Sequence, residues 1–535
     1  MMTCGEAVLE LLEKYEIDTV FGIPGVHNVE LYRGFDKSSI RHITPRHEQG
    51  AAFMAQGYAL ATGRPAACFL ISGPGVINAA TAMGQAYSDS LPMLVFASNN
   101  QLVELGTGRG YLHESKNQMA VEEQVTGFSH QLLDPANLPE VMARAMARFE
   151  SGRPRPICIE VPRDVLAKPI NYSIKAQKPP SRIQPSMSAV TTAAQMLQGA
   201  KSAVLILGGG AWQASEYATQ LIELLDIPVI STCAGKGIVD ESHPLSLGCT
   251  LPFKPIQDLI GSADVVLAIG SELSETDQLY TYSRFPLNGS LIRVDIETDQ
   301  LYRNYEPTLP ILGDAEATLL ALCNALEQHV PVSKDQSCRE QVARLLKEID
   351  PYWQPLATSH KPVLDLVRDI LPVDGILSTE SNKPGYTSKH YYKCHQPRTL
   401  LYPNGFGTLG TALPTAIGAK IGAPDRSVAC IAGDGGVLFS IGELATAVEE
   451  KLPLPVIIWN NHAYGEIRDS MVNWGLPRVG VELKTPDFVK LAEGFGCAGS
   501  RPGSLDELGE ALRRGLKTDR PTVLEIEAEA PWLSG

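Results

Sequence analysis

Two short segments, GDGG at 433–436 and NN at 460–461, carry the strongest chemical signal in the chain. Asp434 and the Asn461 amide oxygen are hard donors. Mg²⁺ is bound in this way, through one or two carboxylates together with a ligand's phosphate oxygens. A nearby backbone carbonyl would add a third oxygen. Gly433, Gly435 and Gly436 let backbone N–H groups come close to a phosphate. Either segment alone reads as a turn. Both together, separated by one helix and one strand, read as a metal and phosphate site.

The elements that must position these residues follow from pattern. Residues 428–432 form an apolar run that ends in the GDG turn. SIGELATAVEEK reads as a helix, with Ser440 and Glu443 at capping-box spacing. LPVIIW is the next strand and stops at Asn460 and Asn461. This is one βαβ unit, and ligands of such sheets gather at the carboxyl ends of the strands.

The N-terminal third offers further polar groups at turns. FGIPGVHNVELY (21–32) holds a Gly-Pro-Gly turn with Pro24 and Gly25, followed by His27. An imidazole there suits proton exchange near neutrality, or simply a helix start. In TPRHEQGAAFMAQGYALATGRPA (44–66), Glu48 opens a helix whose apolar face is Ala52, Met54, Ala55, Tyr58 and Ala59. An acid in a first turn is favoured by the helix dipole. Gly73 lies in a tight turn after a strand, and Asn78 follows where it could cap a helix or serve a site. His113 and Glu114 fall in the Gly-rich loop GYLHESKNQ (110–118).

GDG followed about 25 residues later by NN resembles the signature of thiamine diphosphate-dependent enzymes, of the acetolactate synthase, pyruvate decarboxylase and benzoylformate decarboxylase type. RHEQGAA…GYA and FGTLGTALPTAIGA (406–419) are similar to two more motifs of that family. The resemblance implies that Asp434, Asn461 and the Ala463 carbonyl hold Mg²⁺ on the cofactor diphosphate, with Tyr464 and Gly465 alongside. It implies that Gly407, Thr408 and Leu409 contact the aminopyrimidine, with Leu409 as the wedge that bends the cofactor. STESNKPG (378–385) looks like a first diphosphate loop, with Asn382 and Lys383 as candidates. Glu48 would hydrogen-bond the pyrimidine N1′ and move a proton there, leaving the protein to bind, orient and tune the cofactor. The turns holding Pro24, Gly25 and Gly73, with Asn78, would lie beside the reacting carbon. His27 and His113 would act there as ionisable groups.

In this family a 2-oxo acid loses carbon dioxide, and the product is released as an aldehyde or joined to a second carbonyl. Acetolactate synthases carry a tryptophan where Ser470 stands and a different segment where YLHES stands. Several segments, among them FGIPGVHNVELYRG, LHE and VGVELKTPDFVKLAEGFGC, look similar to 2-ketoarginine (5-guanidino-2-oxopentanoate) decarboxylases. A substrate guanidinium wants a carboxylate in bidentate geometry. Glu466 is the candidate, and the resemblance places Glu114, with His113, where relatives carry a polar residue near the substrate. The alternative is an acetolactate synthase-like carboligase. The family also implies a homodimer or homotetramer, with active sites at the subunit interface.

Apolar runs alternate with helical periodicity along all 535 residues, which predicts an α/β chain of three Rossmann-like parallel-sheet domains. Linkers at 168–188 and near 326–337 divide it into 1–167 (pyrimidine-binding), 190–327 (middle) and 355–535 (diphosphate-binding). The middle part carries AVLILGGGAWQ, but a dinucleotide fingerprint needs glycine where Gln213 stands, so FAD is not expected. A net charge of −15 disfavours nucleic acid as a partner. The ten cysteines include no C-x-x-C pair, which disfavours zinc. No apolar run is long enough to span a bilayer. The N-terminus carries Glu6 and Glu10 where a signal peptide would be basic, so the cytoplasm is the expected compartment.

Overall fold

Strands buried on both faces read as unbroken apolar runs, and such strands build parallel sheets covered by helices. The computed structural model describes residues 1–278, 284–327, 337–357 and 359–533. They form three six-stranded sheets. Nine apolar runs of the sequence, from Ala66–Leu70 to Thr522–Glu527, form strands. Pairings such as Leu267 with Leu205 and Ile457 with Leu524 are parallel.

The chain divides into two compact units. The first comprises 1–181, 376–382 and 405–530; the second comprises 182–375, 383–404 and 531–535. The irregular segment 171–186 carries the first boundary. The second predicted linker falls largely on 328–336, outside the described residues.

In the first unit, one sheet runs Arg41–Ile43, Thr19–Gly22, Ala66–Leu70, Met93–Asn99, Ile157–Pro162 and Phe128–Gln131 in spatial order. Val20, Phe69, Phe96 and Ile159 pack in its core against Leu11, Leu138 and Met142 from flanking helices. Five of the six strands of the other sheet lie side by side in the order Ile376–Thr379, Val428–Gly433, Pro455–Asn460, Thr522–Glu527 and Ala498–Ser500. The helices Glu48–Thr62 and Ala412–Gly422 cross at very short range. A side-chain carbon on Gly57 would lie 2.0 Å from the Thr415 carbonyl oxygen, and one on Gly418 would lie 1.8 Å from that of Met54.

The second unit is built on one sheet, Leu309–Leu312, Ser290–Asp295, Val265–Ile269, Ala203–Leu207, Val229–Ser231 and Ser246–Gly248. One face packs on Leu221, Ile222 and Leu322, and the other on Ile256, Ile260, Val342 and Ile349. The glycine turn after Leu207 is used for loop packing. A side-chain carbon on Gly208 would meet the Gly270 carbonyl oxygen at 2.2 Å.

Two local expectations are corrected. Ser440 and Glu443 do not form a capping box. The helix starts only at Glu443, has Gly442 as its N-cap, and receives no side-chain cap. A turn of tight i→i+3 bonds, including Glu443 N to Ser440 O, delays the helix and takes Ser440 away from the N-cap position. Asn78 does not cap either. Its helix, Pro74–Ser88, begins four residues earlier, with proline in the first turn and Gly73 as N-cap.

Candidate active site

Asp434 ends the buried strand Val428–Gly433 and opens the short helix Asp434–Val437. Its carboxylate is only 2% exposed. Burial raises its pKa, and the amides of Gly435, Asn461 and Ala463 partly reverse that. Its Oδ2 is buried without a hydrogen-bond partner. Asn461 follows the parallel neighbour strand Pro455–Asn460, and its Oδ1 accepts from Ala463 N at 3.1 Å. His462 between them adopts the left-handed conformation (φ 51°). Its carbonyl accepts from Leu483 N at 2.7 Å, and its ring is held by Thr485 and Glu527. Tyr464 N donates to Val481 O, and Gly465 starts the helix Gly465–Asn473.

An orphaned anionic oxygen beside an amide oxygen and a backbone carbonyl is an all-oxygen donor set, which fits Mg²⁺. Among the described residues no group of three or more His, Cys, Asp or Glu could hold a metal. A site of one carboxylate completed by amide, carbonyl and phosphate oxygens does not need one.

Around it, Gly433 packs beside Asn382, whose Nδ2 donates to Ile431 O at 3.3 Å. Gly436 lies against the Glu380 carboxylate, and Gly435 against the Tyr464 ring. Gly407 has φ 65° and accepts from Ser381 Oγ; Thr408 donates through its N–H and hydroxyl to Gln85 Oε1. Leu409 is half-buried. Lys383 opens the helix Lys383–Tyr391, which belongs to the second unit.

The N-terminal candidates form a second cluster. Glu48 is the first residue of helix Glu48–Thr62, and its Oε2 accepts from Asn78 Nδ2 at 3.0 Å. A side-chain carbon on Gly75 would lie 3.4 Å from the other carboxylate oxygen, so glycine leaves that oxygen room. His27 is 2% exposed, and its ring centre is 5.0 Å from that of His113. Nδ1 of each ring is buried and partnerless. Burial first, then His113 and Arg163, pushes the His27 pKa below its ordinary value, so the ring is neutral at pH 7. The turn 23–28 is fixed by Asn28, which accepts from Gly25 N at 2.7 Å and donates to Ile23 O at 3.0 Å. Pro24 is exposed. Gly73 (φ 65°) backs onto the His113 carbonyl, where a side-chain carbon would come to 2.6 Å. An open groove of about 500 Å³ borders His27, with Glu30, Gln101, Arg163 and Lys168 on its walls.

The substrate candidates fare differently. Glu114 is occupied: it accepts from the amides of Gly108, Gly110 and Tyr111 at 2.7–3.0 Å, and so shapes its own loop. Glu466 is exposed in the first turn of helix Gly465–Asn473.

Three family models match the chain. They are described as thiamine pyrophosphate enzyme N-terminal TPP binding domain (residues 2–121), central domain (190–322) and C-terminal TPP binding domain (384–526). The Pseudomonas aeruginosa protein named "Probable 2-ketoarginine decarboxylase AruI" is 45% identical over 528 residues, covering 98% of this chain and 94% of the relative. The chain belongs to the thiamine pyrophosphate enzyme family. More distant members include "Acetolactate synthase isozyme 1 large subunit" of Escherichia coli, 30% identical over 99% of this chain and 94% of that one. The Methanocaldococcus jannaschii protein "Probable acetolactate synthase large subunit" is 32% identical over 98% and 92%.

Three polar residues beneath the family's motifs escaped sequence reasoning. Glu380 is buried and accepts from Gly410 N at 2.6 Å and Gly433 N at 3.2 Å, joining two glycine loops; burial pushes its pKa up to about 7. Gln118 accepts from Gly73 N at 2.8 Å and donates to Glu122 and Glu160. Gln85 anchors Thr408. Glu380 and Gln118 stood inside segments already singled out. An acid directly after an apolar strand was the signal available for Glu380.

Proposed function

We propose that the chain is a thiamine diphosphate- and Mg²⁺-dependent decarboxylase that converts a 2-oxo acid, 5-guanidino-2-oxopentanoate, to an aldehyde and carbon dioxide. The observation that carries the reaction type is the pair of neighbouring imidazoles, the buried His27 and the half-buried His113, whose buried Nδ1 atoms have no protein partner. The substrate rests on the likeness to the 2-ketoarginine decarboxylase over nearly the whole chain.

When bound, thiamine diphosphate supplies a carbon nucleophile for the 2-oxo carbonyl and a sink for the electrons that carbon dioxide leaves behind. Asp434, Asn461 and the Ala463 carbonyl would hold Mg²⁺, and the amides of Gly435 and Gly436 would face the diphosphate. Asn382, Tyr464 and Gly465 would extend that contact. Gly407, Thr408 and Leu409 would meet the aminopyrimidine. Glu48, with one oxygen held by Asn78, keeps the other for a proton at the pyrimidine nitrogen. His27, neutral at pH 7, accepts or relays a proton where charge develops, and His113 shares that task. Glu466 would pair with the guanidinium. The enzyme would work as a homodimer or homotetramer in which each site takes its pyrimidine half and its diphosphate half from different subunits.

The acetolactate synthase relatives favour a second reading, in which the product is joined to another carbonyl compound. A panel of 2-oxo acids supplied with Mg²⁺ and thiamine diphosphate tests the proposal through carbon dioxide release. The guanidino acid should give the highest kcat/KM. Preference for pyruvate by more than an order of magnitude would contradict the substrate.

A further inference from the structure

Glu443 follows the diphosphate motif in sequence, yet its carboxylate serves another helix. It is buried, and it reaches the backbone that leads into helix Glu48–Thr62. Oε1 accepts from Arg46 N at 3.1 Å and His47 N at 3.0 Å, and Oε2 from Arg46 N at 3.1 Å. Thr446 Oγ1 donates to Oε2 at 2.7 Å. The seat is tight, because a side-chain carbon on Gly50 would lie 2.1 Å from Oε1. Burial raises the Glu443 pKa, while the Thr446 hydroxyl and the two amides lower it.

Amides at a helix entry have no partner inside the helix and need acceptors from elsewhere. Here the acceptor is a buried carboxylate, which the helix dipole also favours. The residue after His47 is Glu48. Whatever fixes the amides of Arg46 and His47 fixes the backbone from which the Glu48 side chain starts. Asn78 then fixes the carboxylate at the far end.

We infer that Glu443 is a positioning residue for Glu48: it anchors the helix entry so that the Glu48 carboxylate meets the aminopyrimidine in one geometry. This rests on the cofactor reading above. It adds that the segment carrying the metal motif also sets the proton-transfer acid of the same chain.

Glu443→Ala, Glu443→Asp and Glu443→Gln test it, each in the wild-type and the Glu48→Gln backgrounds. In cofactor-free protein, amide hydrogen exchange of residues 44–52 should speed up by about tenfold or more in the alanine variant, since the amides of Arg46 and His47 lose their acceptor. Glutamine should restore most of the protection, because its amide oxygen in the Oε1 position can accept from both amides, although its NH₂ cannot replace the second Oε2 contact to Arg46 N. With cofactor saturating, kcat should fall up to about 100-fold for alanine, the scale of a misplaced catalytic group, with little change in KM. Aspartate, one methylene short, should fall between alanine and glutamine, and it serves if the alanine protein does not fold. In the Glu48→Gln background the same changes should cost less than about twofold. Unchanged exchange at 44–52 would overturn the inference, as would an equal kcat penalty in both backgrounds. A wild-type protein that binds no thiamine diphosphate would instead overturn the reading beneath it, before any variant is made.

Discussion

At the residue scale, the site is a small set of buried polar atoms left without protein partners. Asp434 Oδ2 and the two Nδ1 atoms of His27 and His113 are such atoms. A buried anionic oxygen is costly unless something pairs with it, and in the proposed function the pairing group would be a cation held together with a diphosphate. Asp434→Asn should therefore weaken Mg²⁺–thiamine diphosphate binding by more than about 100-fold, beyond the usual loss of an outer-shell partner. Titration of the apo protein followed by fluorescence checks this. A second expectation concerns the Gln118–Glu122–Glu160 cluster that holds the Gly73 turn. Burial, and then the neighbouring Glu160 carboxylate, raises the Glu122 pKa. The unfolded chain releases that proton in the ordinary carboxylate range while the folded chain keeps it, so this group makes stability fall as pH rises above that range. Glu122→Gln should stabilise the apo protein by a margin that grows from about pH 5 to about pH 8. Melting temperatures at both pH values measure it. The candidate cofactor and metal contacts were legible as candidates, because the family's motifs name them. Glu380, Gln118 and Glu443 were not. They act on backbone amides distant in sequence, and no spacing rule connects Glu443 to Arg46.

At the element scale, the pattern of buried strands was read well. Nine long apolar runs became strands because each is covered on both faces. Phe128–Gln131, Leu309–Leu312 and Ala498–Ser500 were missed. They lie at sheet edges, are only three or four residues long, and are partly exposed; Leu309–Leu312 is apolar but is broken by Pro310, and the other two carry no apolar run. The Ser440–Glu443 spacing misled because a capping signature reports local sequence, and tertiary contacts claimed the acid. The crossing of helices Glu48–Thr62 and Ala412–Gly422 depends on glycine. Gly418→Ala places a carbon on the Met54 carbonyl and should cost about 1–3 kcal/mol, the usual penalty of overpacking. Urea unfolding of the apo protein measures it. A cost below about 0.5 kcal/mol would show that the helices separate easily.

At the scale of the whole molecule, charge and composition excluded nucleic acid as an expectation but said nothing about compactness. The three sheets were legible. The gathering of the first and third into one compact unit was not, because the helix crossing that joins them rests on glycines far apart in the chain. Among the described residues, no helix is long and apolar enough to cross a membrane. If each site draws on two subunits, Glu48→Gln and Asp434→Asn chains, each inactive alone, should complement one another. Random re-pairing would give half mixed dimers with one intact site of two, and so about a quarter of wild-type activity. Activity after joint refolding measures it, and no recovery would place both residues in a site made by one chain.

The most direct measurement is product analysis of the Mg²⁺–thiamine diphosphate enzyme given pyruvate and 5-guanidino-2-oxopentanoate together, followed by nuclear magnetic resonance. The expected result is one guanidino aldehyde per carbon dioxide released, with pyruvate left largely unconsumed. Acetolactate, or a product joining the two acids, with no free guanidino aldehyde, would contradict it.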